Sequence, residues 1–407
     1  MSETIFITGT GIITAIGDNT AQNLSSLIHK KSGIGRLTLF STIHEEVVPV
    51  CEIKHSDEKL FEMAGVDKSE GYSRTALVGL IAVKEALNNA GIVDVSSART
   101  GLISATTVGG LREFETYLYD LLDENKQGSF RVHAHGTDAG EHTERIADYL
   151  GLDEYVSTIS TACSSSANAI IFGAELIKNG ILDRVICGGS DVLSKFTING
   201  FNSLKILDKN HSRPFDASRL GVNLGEGSAY VVLESASLVQ RDKKTPLAIL
   251  SGYSNSNDAY HQTASSPDGN GAVLSMSRSI EMANLKIDDI DYINCHGTGT
   301  ENNDLSETLA IQKLFGDEPP YFSSTKPYTG HTLAAAGSVE AIFSILAIQH
   351  RLIFPNLNFK DKIEEANITP IDDLLQDQDV QHVLSNSFGF GGSNTSLLFS
   401  NVNAIYA

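Results

Sequence analysis

Apolar runs of strand length alternate with amphipathic helical stretches along the whole 407-residue chain. That alternation limits the fold more than any single motif does, because it demands sheets covered by helices. Strands are predicted at 5–9, 100–106, 155–160, 184–189, 229–234, 248–254, 292–296 and 383–388. Helices are predicted at 72–90, 140–150, 164–179, 271–283, 304–315 and 338–349. The class is therefore α/β. A faint duplication runs through it. The first half holds a strand, Cys163, a helix, and a strand ending in Gly188-Gly189-Ser190. The second holds Gly330-His331 before a helix, then a strand ending in Gly389-Phe390-Gly391-Gly392-Ser393. The polar stretch from Lys243 to Pro246 marks the midpoint, which predicts halves 1–245 and 246–407.

Met1 through Thr8 reads as the start of the first strand, without a basic leader, signal-like apolar stretch or cleavage site. No apolar run approaches membrane-spanning length, so the expected location is the cytoplasm, with no membrane partner. The formal charge of −20 excludes a general nucleic-acid binder, which needs a basic face. Cys51, Cys163, Cys187 and Cys295 are scattered without metal-site spacing and read as reduced thiols. Cys187 and Cys295 sit in apolar runs and read as small buried hydrophobes; Cys51 carries no signal.

Cys163 differs. In Thr161-Ala162-Cys163-Ser164-Ser165-Ser166-Ala167 it stands between a strand-like run and a helix-like run. A helix N-terminus lowers a thiol pKa, and its small neighbours admit a substrate. A buried helix-cap cysteine fits the local sequence equally well. His296 follows an apolar strand and precedes Gly297-Thr298-Gly299-Thr300, a loop that exposes a ring at a strand end. His331 precedes a helical stretch, where a positive helix end disfavours imidazolium, so it is expected neutral and donating. Either histidine also fits a turn or cap role. The glycines around Phe390 free backbone N–H groups to point into a site, or form a plain turn. Gly9-Thr10-Gly11 lacks the rest of a dinucleotide fingerprint. His133, His135 and His142 lack zinc spacing and read as a polar surface segment.

Taken together and in order, these motifs resemble the β-ketoacyl-ACP synthases, the elongating condensing enzymes of the thiolase-like superfamily. The ordered set also includes Arg213-Pro214-Phe215-Asp216, Gly225-Glu226-Gly227, Lys326 through His331, and Asn386-Ser387-Phe388 ahead of the glycines. The resemblance implies the five-layered αβαβα thiolase-like fold, built from two similar halves and dimeric, as a homodimer or with a related synthase subunit. It implies that Cys163 takes an acyl group from acyl-carrier protein, with the amides of Cys163 and Phe390 as oxyanion hole. His296 and His331 are then to hydrogen-bond the malonyl thioester and promote decarboxylation, with Lys326 paired to Glu340 behind them. Thr298 and Thr300 are to contact the phosphopantetheine arm, Phe390 to gate the acyl pocket and Val108 to line it. No metal and no bound cofactor is expected, because phosphopantetheine arrives on the carrier.

Two departures lean toward a specialised polyketide or polyene synthase. Residues 130–137 lack the family's proline, and Ser164-Ser165-Ser166 is similar to polyketide enzymes. Carrier protein is acidic, so docking needs a local basic patch. Lys205 and Lys209 are the candidates, with Arg74 and Arg131 behind them. The competing reading is a non-catalytic partner subunit of the chain-length-factor kind; retention of Cys163, His296, His331 and Lys326 argues against it. Thiolases, and condensing enzymes of the Cys-His-Asn type, fit less well, lacking respectively a second C-terminal cysteine and a catalytic asparagine motif.

Overall fold

Ten strands form the frame: β1 (Ile5–Thr14), β2 (Thr100–Ala105), β3 (Val156–Ile159), β4 (Arg184–Asp191), β5 (Gly227–Ser235), β6 (Ala248–Asn257), β7 (Tyr292–Asn294), β8 (Tyr321–Ser323), β9 (His382–Gly389) and β10 (Ser393–Ser400). The computed structural model describes residues 3–405; Met1, Ser2, Tyr406 and Ala407 lie outside the described residues. The strand order is β3-β2-β4-β5-β1-β6-β10-β9-β7-β8. It reads as two five-strand arrays in mirror order. β2 runs parallel to β3 and β4, as β7 does to β8 and β9. Nearer the centre the pairing turns antiparallel, β4–β5–β1 on one side and β9–β10–β6 on the other. The arrays meet along β1 and β6 through just two residue pairs, Phe6 with Ile249 and Ile7 with Ala248.

Helices complete five layers. Arg74–Asn89 covers β1 and β5 on one outer face, and Asn270–Met282 covers β6 and β10 on the other. Between the arrays lie Ser165–Lys178 and Ala336–His350, packed on each other and on strands of both. The largest apolar cluster fills this middle layer. It combines Ile170, Ala174 and Ile177 with Val339, Ile342, Phe343 and Leu346, against Val231, Leu250 and Phe399 of the strands. Because it is enclosed on every side, Ala336–His350 is apolar all round rather than amphipathic. The expectation that no run approaches spanning length is corrected here. Leu333–His350 is long and apolar enough to cross a bilayer, but it is almost wholly buried and is a core helix.

A second correction concerns the histidines at 133–142. His135 is exposed, as read from the sequence. His142 is fully buried on Glu141–Leu150, where its ring bonds Ser104 Oγ at 2.8 Å and the Ala139 carbonyl at 3.0 Å. Burial lowers its pKa to about 4, which makes it a satisfied core histidine.

Candidate active site

β3 ends at Ile159, and the chain turns sharply to reach the helix at Ser165. Ala162 takes a left-handed φ of 54° to make that turn. The strain is held by side chains. Ser164 Oγ donates to the Thr161 carbonyl at 2.8 Å, and Ser165 Oγ to the Ala162 carbonyl at 2.5 Å. Ser166 Oγ accepts from the Ser338 N–H at 2.9 Å, tying the turn to the helix opposite. The serine run therefore laces the turn. Gly389, at the end of β9, lies against the same turn. A Cβ there would sit 3.0 Å from the Thr161 carbonyl oxygen and 3.2 Å from the Cys163 nitrogen, so glycine is what lets the 389–392 loop reach the sulfur.

Cys163, His296 and His331 arrive from β3, β7 and β8. Their ligating atoms all lie within 4.8 Å of one another, and all three residues are buried. The two rings meet edge to face, with centroids 5.3 Å apart. The Leu333 N–H donates to His331 Nδ1 at 3.2 Å, which leaves the His331 proton on Nε2. His331 Nε2 has no partner among the described residues. Lys326 Nζ lies 3.2 Å from His296 Nδ1 and donates to Glu340 Oε1 as well. With the amine as donor, His296 also carries its proton on Nε2. Both rings thus present N–H groups to the sulfur's chamber.

The electrostatics favour neutral rings. His296 is held well below the usual imidazole range by burial first, then by Lys326 and His331. His331 is lowered likewise by burial and then by Lys326, rather than by a helix end as the sequence suggested. Burial pushes Glu340 up to about 7, against the pull of Lys326. The expected lowering of the Cys163 pKa is overturned. Burial pushes that thiol up to about 11, although N–H groups of Phe390 and of Cys163 itself hydrogen-bond the sulfur and Lys326 lies near. Desolvation outweighs the helix N-terminus because Cys163 is only 6% exposed. The trio has the donor set of a zinc site among the described residues, but the amine of Lys326 against His296 opposes a cation there.

Two chambers adjoin the sulfur. One, of about 320 Å³, is lined by Cys163, His296, His331, Thr298, Thr300 and Lys205. The other, of about 360 Å³ and mostly apolar, is lined by Cys163, Val108, Thr107, Leu333 and Phe196. Phe201 and Phe390 border both and stack with centroids 5.8 Å apart, forming the partition. Val108 is thus across the partition from the histidines. Lys205 is exposed at the first chamber's rim, whereas Lys209 borders a separate surface depression beside Arg36 and His211. Arg131 is exposed and lines neither chamber. Arg74 is corrected as a docking candidate. It is fully buried, bonding Glu226 at 2.9 Å and Asp57 at 2.8 Å, and it anchors the Gly225-Glu226-Gly227 motif.

Sequence reasoning missed the residues that hold the His296 loop. Glu307 accepts from the N–H groups of His296 at 2.9 Å and Gly297 at 2.8 Å. Asp304 accepts from Thr298 at 3.0 Å, from Gly299 at 3.1 Å and from Phe215 of the Arg213–Asp216 motif at 2.8 Å. Two acids one helical turn apart, just after a glycine loop, were the available signal. Phe201, on Lys195–Ser203, was likewise missed.

The family profile "Beta-ketoacyl synthase, N-terminal domain" matches residues 2–238, and "Beta-ketoacyl synthase, C-terminal domain" matches 247–360. A 3-oxoacyl-acyl-carrier-protein synthase 2 of Staphylococcus aureus is 30% identical, covering 98% of this chain and 99% of that protein. One from Synechocystis is 32% identical over 97% of each. Among solved structures, the ishigamide ketosynthase/chain length factor superposes with a TM-score of 0.90 at 28% identity, covering 98% of this chain and 100% of the other. A ketosynthase in complex with its chain length factor from Xenorhabdus doucetiae gives 0.85 at 30% identity, with 98% of each chain covered. The layered α/β frame is the thiolase-like ketosynthase fold, and the chain belongs to the β-ketoacyl synthase family.

Proposed function

We propose that the chain is a β-ketoacyl-ACP synthase, and that it condenses an acyl group held on Cys163 with a malonyl group held on acyl-carrier protein. The observation that carries this reading is the convergence of one thiol and two neutral, Nε2-protonated imidazoles within 4.8 Å. The Cys163 sulfur attacks an acyl thioester, releasing the carrier thiol, which takes up the cysteine's proton. The N–H groups of Cys163 and Phe390 receive the oxyanion. Malonyl carrier then enters the chamber of Thr298 and Thr300. Loss of CO2 leaves an enolate, whose oxygen accepts hydrogen bonds from His296 and His331. The enolate carbon attacks the acyl carbonyl, the C–S bond to Cys163 breaks, the departing thiolate takes a proton from solvent, and β-ketoacyl carrier departs.

Lys326 and Glu340 hold His296 in its donor tautomer. The apolar chamber of Val108 and Leu333 takes the acyl chain, with Phe390 as its gate. Carrier docks over Lys205 and Lys209. The sheet halves correspond to 1–245 and 246–407. The assembly is a dimer, either of two copies or with a related subunit, and the ketosynthase–chain length factor complex among its neighbours supports the latter. The four free, buried thiols support a cytoplasmic location. A polyketide or polyene product accords with the polyketide-type structural neighbours. A non-catalytic partner subunit has no use for the intact trio.

Intact-mass analysis after exposure to a panel of acyl carrier proteins tests the reading. One acyl group on Cys163, absent in Cys163→Ala, is expected. No adduct with any carrier, together with no CO2 release from malonyl carrier, would sink it in favour of the partner-subunit reading.

A further inference from the structure

Asp191 ends β4, just after the Gly188-Gly189-Ser190 stretch, and is fully buried. Among the described residues it hydrogen-bonds neither the sulfur nor the imidazoles. Its carboxylate accepts from Thr106 Oγ1 at 2.5 Å, Thr107 Oγ1 at 2.6 Å, Thr107 N–H at 3.1 Å and Ala334 N–H at 2.9 Å. Val108 N–H approaches at 3.4 Å. Each donor is neutral, so the carboxylate is held by N–H and O–H dipoles alone. A carboxylate suits such a ring because it only accepts, whereas an amide would aim its own N–H groups at other donors.

The groups it joins belong to two parts of the site. Thr107 and Val108 are wall residues of the apolar chamber. Ala334 follows Leu333, whose N–H fixes the His331 tautomer and whose side chain lines that same chamber. Leu333 is itself held at a left-handed φ of 54°, a conformation that persists only when its surroundings enforce it. An acyl chain in the chamber would therefore lie against both segments that Asp191 ties together.

We propose that Asp191 is a positioning residue that clamps the acyl-chamber wall to the His331 turn, so that an acyl chain on Cys163 sets the donor geometry for malonyl decarboxylation. This rests on the condensing reading of the site. It makes decarboxylation respond to the state of a sulfur that takes no part in breaking the C–C bond.

The test compares wild type, Asp191→Asn and Asp191→Glu by two readouts. The first is the nitrogen-15 spectrum of the His331 ring, which requires no activity. The second is CO2 release from malonyl carrier, with Cys163 free or loaded by an acyl carrier found to acylate it. Wild type should show the Nε2–H tautomer, with CO2 release about tenfold faster once acylated. Asp191→Asn should show mixed tautomers and a rate ratio near one, with KM for malonyl carrier unchanged within about twofold. Asp191→Glu should recover the ring state and most of the ratio. An Asp191→Asn protein that keeps the wild-type ring state and ratio overturns the proposal, as does a wild type that ignores acylation. If Asp191→Asn does not fold, Thr106→Val removes one donor to the carboxylate, together with the acceptor of the Gly109 N–H. It should shift both readouts the same way by less, and a wild-type result there is equally fatal. Should wild type load no acyl group at all, the condensing reading falls and the ring spectrum alone judges the clamp.

Discussion

A hydrogen bond of 3.2 Å from the Leu333 N–H to Nδ1 decides what His331 can do, because it fixes the ring as a donor at Nε2. That donor has no partner among the described residues, and an oxyanion is the partner its position suits. His331→Ala should therefore lower kcat for condensation by about 10²- to 10³-fold, as for one lost oxyanion-hole donor, with a smaller change in KM. Steady-state kinetics on acyl and malonyl carriers check this, and an equal fall in KM would count against a transition-state role. Cys163, His296, His331 and Lys326 were legible in the sequence because each falls in a motif with its own residue signature, whereas Glu340 came only with the family resemblance. Asp191, Asp304 and Glu307 were not. What they bind is mainly backbone N–H groups, and a backbone donor leaves no mark on the residue that carries it. The elevated Cys163 pKa was invisible for a related reason, since burial is a property of the packed layers rather than of the neighbouring letters.

The helices Ser165–Lys178 and Ala336–His350 cross where Gly337 faces Ala167. A Cβ at Gly337 would lie 2.8 Å from the Ala167 Cβ and 2.9 Å from Ser387 Oγ. Gly337→Val should push the helices apart, destabilise the fold by about 1–3 kcal/mol, and displace Cys163 from the histidines. Thermal unfolding and acylation rate measure the two effects, and an unchanged melting temperature would refute the close contact. Element by element, the long periodic helices and eight of the ten described strands were readable, most to within a few residues, while β8 and β10 were missed. β1 was cut short at Gly9, because the register shift between Ile7 and Gly9 hides the rest of its ladder with β5. Lys195–Ser203 was missed because its composition, with Thr197, Ile198, Gly200 and Phe201, does not favour a helix. Its start is fixed by the Ser194–Thr197 capping box and by Glu115, which accepts from the Lys195 N–H at 2.7 Å and the Phe196 N–H at 3.1 Å. Leu111–Leu122 begins after Gly110 with no side-chain cap, so its start carries no signature either.

Two predictions belong to the molecule as a whole. The net charge of −20 repels an acidic carrier at long range, so productive approach depends on a local exception at the chamber rim. Lys205→Glu should raise KM for carrier-bound substrate about threefold or more at low salt, with less effect at high salt and none for a small thioester mimic. Equal effects on both substrates would remove Lys205 from docking. Stability should also fall in mild acid. Burial lowers the His142 pKa to about 4 from the ordinary imidazole value of about 6.5, so below that higher value the unfolded chain takes up a proton that the native ring refuses. This ring alone should cost about 2 kcal/mol between pH 7 and pH 5. Denaturant unfolding of His142→Gln should lack that part of the slope, and a parallel pH profile would refute the assignment. The two five-strand arrays share a border of two rungs, with the thiol hung from one and the imidazoles from the other. Neither array is a catalyst by itself. The chemistry exists only at their rendezvous, so selection for turnover is also selection for how faithfully the two are kept in step.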